Sequence, residues 1–242
     1  MKKKFAILTL IARHTLPAVL AVLVLLAAAN AVIFCTNVDS GFQNLYLKFD
    51  RTDMVAAFLI AYVLMTGILC FAMQDRGGRQ NYFLNRLMVS PKTLFWNHAL
   101  YNSLCYVLLF IVEGLSLVGL GVWAQGAFPE RFSYQTLFLI CYQSDMIHSF
   151  FPLEDWFLWI SNLVMILGLG ICTAALPTRN RSRKTSVTTF VMGMVLPVNL
   201  FLHVEDTNAL DSTTRVIVMV LSGFCIMFAL SGVLGLEVDE DV

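Results

Sequence analysis

"YQTLFLICYQSDMIHSFF", residues 134–151, decides how many times this chain crosses a membrane. Its first half is apolar enough for a span. Its second half carries Gln143, Ser144, Asp145 and His148, which are costly to expose to lipid. The surrounding chain sets the terms. Hydrophobic residues fill 58% of its 242 positions and charged residues only 13%. A soluble domain carries roughly 25% charged residues, so too little charge is present to cover a water-facing surface. The apolar residues come in runs close to the ~20 residues that cross a bilayer.

Six such runs are spans: 16–34, 54–73, 98–123, 156–176, 186–204 and 215–236. Lys/Arg bias then decides the status of 134–151. With six spans and the amino terminus inside, the inner side holds Lys2, Lys3, Lys4, Arg13, Arg76, Arg79, Arg86, Lys92, Arg179, Arg181, Arg183 and Lys184. The outer side holds only Lys48, Arg51, Arg131 and Arg215. Counting 134–151 as a seventh span would put the "RNRSRK" cluster (179–184) outside. The expected fold is therefore all-α: a polytopic bundle of six spans in one domain, 1–242, with both termini cytoplasmic. Residues 124–155 form an extracytoplasmic segment, within which 134–151 is an outer-surface or partly re-entrant helix. "MKKK", the apolar run and "AAANA" (27–31) also resemble a cleavable signal peptide. The apolar run is long for one, and cleavage would leave the other five spans oriented as before.

The longest polar interruption is "QDRGGRQNYFLNRLMVSPKTLFWN", 74–97. On a helical wheel, Phe83, Leu84, Leu87 and Met88 share one arc, opposite Arg79, Asn81, Asn85 and Arg86. Gly77 and Gly78 permit the turn out of the second span. Ser90 ends the short helix, because the residue before a proline is pushed out of the α region. Ser90 as N-cap and Pro91 as first helical residue then start a helix that runs through "KTLFWNHALYN" into the third span. A plain loop lying on anionic headgroups needs neither the sharp restart nor the apolar patch.

"RGGRQNYFLNRLMVSPKTLFWNHALYNSL" (76–104) resembles the coupling-helix region of type 2 ABC-transporter permeases, the membrane subunits of many bacterial exporters. In that family a charged turn after the second span leads to a helix ending in a Leu-x-x-Ser-(Pro/Arg)-type break. The layout is similar as well: six spans, cytoplasmic termini, a basic amphipathic amino-terminal helix ("MKKKFAILTLIARHTLP", 1–17) and no large soluble domain. This chain departs from the family in placing its larger outer segment between spans three and four. The resemblance implies a multi-pass protein of the bacterial cytoplasmic membrane that forms a substrate pathway as a dimer. It also implies a separate ABC ATPase docked on Arg79, Phe83, Leu84, Arg86, Leu87 and Met88. The chain itself has no G-x-x-x-x-G-K-[ST] sequence with which to cradle nucleotide phosphates, so hydrolysis is expected on the partner. No cofactor, metal or nucleic acid is expected.

Glu113, in "LLFIVEGLSLVG", falls mid-way along the third span, where an acid costs several kcal/mol. It either lines the pathway or is a protonated carboxyl hydrogen-bonded to a neighbouring helix, with Asn30, Asn162 or Asn199 as donor. Asp145, His148, Glu154, Asp155, His203, Glu205 and Asp206 are metal-competent types, but they are spread over two loops without paired spacing. The six cysteines (35, 70, 105, 141, 172, 225) show no metal spacing either; Cys35 and Cys141 both fall near the outer face, which allows a disulfide between them, while lone membrane thiols are the commoner case. An intramembrane hydrolase would need H-E-x-x-H, G-x-S-x-G or a comparable set, and none is present. The alternative to a transport subunit is an accessory or immunity protein that binds another membrane or cytosolic subunit without transporting anything.

Overall fold

The computed structural model describes residues 2–38, 52–71, 90–127, 142, 144–151, 156–178, 189–195, 197 and 208–234. Among these the chain is helical and has no strand. The helices are α1 (Lys2–Val38), α2 (Thr52–Phe71), α3 (Pro91–Ala127), α4 (Asp145–Phe150) and α5 (Trp156–Thr178). They are followed by α6 (189–195) and α7 (Asn208–Leu234). Four stretches are long and apolar enough to cross a membrane: Thr15–Thr36, Asp53–Phe71, Lys92–Ala127 and Leu158–Ala175. Met219–Ser231 in α7 is apolar but shorter. Of the fifth expected span, only 189–195 and 197 are described.

The outer surface of the bundle agrees with a lipid setting. Val24, Leu25, Ile60, Val63, Phe190, Phe224 and Met227 are all more than 60% exposed. So continuous an apolar surface would aggregate in water.

α1 contains both the expected amino-terminal helix (1–17) and the expected first span (16–34). It is one helix of 37 residues that runs through Pro17. Proline there removes a single backbone donor, and neighbouring groups in a membrane helix can absorb that loss.

α3 begins as its sequence suggests. Ser90 Oγ accepts from the Thr93 amide at 3.4 Å and lies 2.9 Å from Thr93 Oγ1. The Ser90 carbonyl accepts the first helical bond, from Leu94, at 3.2 Å. From this cap the helix continues unbroken for 37 residues. Trp96 and Trp123 are each 49% exposed. They stand about 40 Å apart along the axis at 1.5 Å per residue, which is close to a bilayer's thickness with its headgroup regions.

Cross-helix contacts give the directions. Thr15 meets Tyr101, Asn30 meets Glu113 and Phe34 meets Trp123, so α1 and α3 run parallel. Phe58 packs on Phe110, and Thr66 bonds to Tyr106, so α2 runs against α3. Asn102 bonds to Thr173, while a side chain on Gly170 would meet Ser103, so α5 also runs against α3. Antiparallel α3 and α5 bring Ala127 and Trp156 toward the same end of the bundle. α5 lies at the centre, packed by α3, α7 and α2. Its glycines allow this: a side chain on Gly168 would meet Ile226 and Met192.

Candidate functional site

α3 presents its buried polar side chains to three different neighbours. Tyr101 OH is 2.5 Å from Thr15 Oγ1 of α1. Asn102 donates to Thr173 Oγ1 of α5 at 3.0 Å, and the Ala174 backbone of the same helix is within bonding reach of His98. Tyr106 OH donates to Thr66 Oγ1 of α2 at 3.0 Å, and Thr66 donates on to the Tyr62 carbonyl at 2.9 Å. Tyr62 OH in turn donates to the Gly193 carbonyl of α6 at 3.0 Å. A buried polar group needs a partner. In an apolar bundle many of the available partners are on other helices, and each such cross-helix bond also fixes a helix register.

Higher on α3 the same logic places Glu113. Its residue is fully buried, as is Asn30 of α1. Asn30 Nδ2 donates to Glu113 Oε2 at 2.7 Å and to Ser116 Oγ at 3.0 Å. Ser116 Oγ donates back to the Glu113 carbonyl at 2.8 Å. Of the three asparagines weighed from sequence, Asn30 is the donor. Asn162 is buried on α5 beside a cavity, and Asn199 lies outside the described residues.

That cavity, of about 340 Å³, lies between α3, α4 and α5. Phe110, Phe150, Phe151, Trp159, Asn162 and Ile166 are among its walls; Glu113 is not. α4 forms one side of it. Ser144 caps α4 by accepting from the Ile147 amide at 3.3 Å. Met146, Ile147 and Phe150 are buried. The Phe150 ring meets Phe58 edge-on at 4.9 Å and Phe110 at 5.2 Å, and Phe151 lies against Gly114, leaving no room there for a side chain. Phe110 and Gly114 are near the midpoint of α3. Residues 144–151 therefore reach into the bundle rather than lying on its rim.

The docking residues expected from sequence, Arg79, Phe83, Leu84, Arg86, Leu87 and Met88, lie outside the described residues. So do Glu154, Asp155, His203, Glu205 and Asp206. Among the described residues no three His, Cys, Asp or Glu side chains converge as metal ligands. Cys35 is an exposed free thiol, and Cys141, weighed with it as a disulfide pair, is outside the description. Sequence reasoning missed the Tyr62–Thr66–Tyr106 and Asn102–Thr173 clasps. The signal was there in the i, i+4 spacing of Tyr62 with Thr66 and of Asn102 with Tyr106. Comparison with known protein families, with curated proteins and with solved structures finds no match.

Proposed function

We propose that this chain is the membrane-spanning subunit of an ATP-driven exporter of the type 2 ABC permease kind, working as a dimer in the bacterial cytoplasmic membrane. A separate ATPase docks on residues 74–97 and drives it. The observation that carries this reading is the start of α3. The helix is capped by Ser90 directly after the amphipathic elbow and continues without a break through the whole bundle.

A displacement of the elbow acts at the end of a rigid rod. That rod is tied to α1 through Glu113 and Asn30, and to α5 through Asn102 and Thr173. A push by the ATPase would therefore be felt in the packing of three membrane-crossing helices at once. A headgroup-binding loop has no use for such rigidity. The antiparallel run of α3 and α5 also supports the six-span layout, because it brings the end of one and the start of the other toward the same side of the bundle.

Copurification tests the proposal. Solubilised in mild detergent, the chain should bring down a nucleotide-binding subunit carrying a P-loop, with a second permease chain. A complex without any nucleotide-binding partner would contradict it and favour the accessory role.

A further inference from the structure

The pair Asn30–Glu113 has an unresolved hydrogen-bond account. Both hydrogens of the Asn30 amide are used, one on Glu113 Oε2 and one on Ser116 Oγ. The Ser116 hydroxyl hydrogen goes to the Glu113 carbonyl. Two atoms remain, Glu113 Oε1 and Asn30 Oδ1. Both are buried, and neither has a partner among the described residues. If Glu113 were ionised, both would be acceptors with nothing to accept. Turning the Asn30 amide over does not help, because its oxygen would then face Oε2 and a proton would still be missing between them.

Among the described side chains no counter-charge supplies the deficit. Beyond His14, α1 has no acidic or basic residue; α2 has only Asp53 near its start, and α5 has none. On α3 itself the other Asp, Glu, Lys, Arg or His residues are Lys92 and His98, and His98 is some 22 Å away along the axis at 1.5 Å per residue. α4 also carries Asp145 and His148, whose side chains lie outside the described ones; its described contacts with α3 are made by Phe150 and, just beyond its end, Phe151. A carboxylate here would be buried in an apolar bundle with a single amide for company, which is expensive.

We infer that Glu113 carries a proton on Oε1 and donates it to Asn30 Oδ1, so that the two side chains form a neutral, doubly hydrogen-bonded acid–amide ring clasping α1 to α3. One proton satisfies both orphan oxygens, and the planar carboxyl and amide are the right shape to share two parallel bonds. The site binds a proton inside the membrane. Removing that proton sets a negative charge against the Asn30 carbonyl oxygen and opens the clasp. This holds whether or not the chain serves a transporter.

Infrared spectroscopy of the purified protein in bilayers at pH 7 tests it. Wild type should show the carbonyl stretch of a protonated carboxyl, shifted by deuteration and absent from Glu113→Gln. The Gln side chain can form the same ring with Asn30, so that variant should fold. Asn30→Leu keeps the carboxyl but removes the bond to Oε2, and must move the band to higher frequency. Three results overturn the inference. One is the absence of any Glu113-dependent protonated-carboxyl band. Another is a band unmoved in Asn30→Leu. The third is a Glu113 carboxylate band that changes when sodium replaces choline, which would place a metal cation between the two oxygens.

Discussion

Ser103 of α3 fills the space that a side chain on Gly170 of α5 would need. A Cβ built on Gly170 would lie 2.8 Å from the Ser103 backbone nitrogen and 3.0 Å from its Cα. The obstacle is backbone, so it cannot rotate away. Gly170→Ala must push α3 and α5 apart, at a cost of roughly 1–3 kcal/mol for overpacking. Gly119, also on α3, has nothing within 4 Å of a built Cβ, and Gly119→Ala should leave stability nearly unchanged. Thermal unfolding in detergent should rank the two variants in that order, and equal melting temperatures would refute the close approach.

The cap on α3 gives a second test. Ser90→Ala removes the oxygen that accepts from the Thr93 amide and should cost about 1 kcal/mol. Ser90→Asp keeps an acceptor and should cost less. Hydrogen exchange at residues 92–95 should quicken in the alanine variant only. Unchanged protection there would mean that Ser90 does not hold the helix start.

Phe150 anchors α4 between α2 and α3 through its edge-on contacts with Phe58 and Phe110. Phe150→Ala should cost about 3–5 kcal/mol of that segment's docking. In a cysteine-free background, Ser144→Cys, at a position now fully buried, should resist a water-soluble maleimide. It should become reactive when Phe150→Ala is added. Equal reactivity with and without Phe150 would contradict the anchoring.

Much of the fold was legible because membrane helices announce themselves by length and composition. The apolar runs starting near 16, 54, 98 and 156 each became part of a helix with a span-length apolar stretch, and the Ser90–Pro91 restart follows local rules that tertiary packing did not override. The amino-terminal helix (1–17) and the first span (16–34), read separately, form one helix that runs through Pro17. The depth reached by 144–151 was not legible: its polar residues argued against lipid, while Phe150 and Phe151 had partners on α2 and α3 that no local pattern reveals. Glu113 stood out because a lone acid in an apolar run is anomalous. Choosing Asn30 over Asn162 required the parallel register of α1 and α3, which exists only in three dimensions.

The antiparallel course of α3 and α5 bears on topology. On a cysteine-free background in intact cells, a membrane-impermeant thiol reagent should reach Gln143→Cys and Thr207→Cys but not Arg181→Cys. Labelling of Arg181→Cys from outside would refute the six-span layout.

The elbow offers the most direct test of the proposed transport role. Burial of a side chain such as Leu87 is worth roughly 1.5–3 kcal/mol, whereas a solvated rim charge contributes about 0–1 kcal/mol. A docked coupling helix should therefore depend more on the arc of Phe83, Leu84, Leu87 and Met88 than on Arg79 and Arg86. A headgroup-binding loop should show the reverse, in a salt-dependent way. The measurement is ATPase copurification and stimulated ATP hydrolysis for Leu87→Glu beside the double variant Arg79→Ala/Arg86→Ala, each confirmed to insert. Leu87→Glu should lose the ATPase while the double arginine variant largely retains it. A stoichiometric ATPase on Leu87→Glu, together with its loss from the arginine variant, would contradict the coupling-helix assignment.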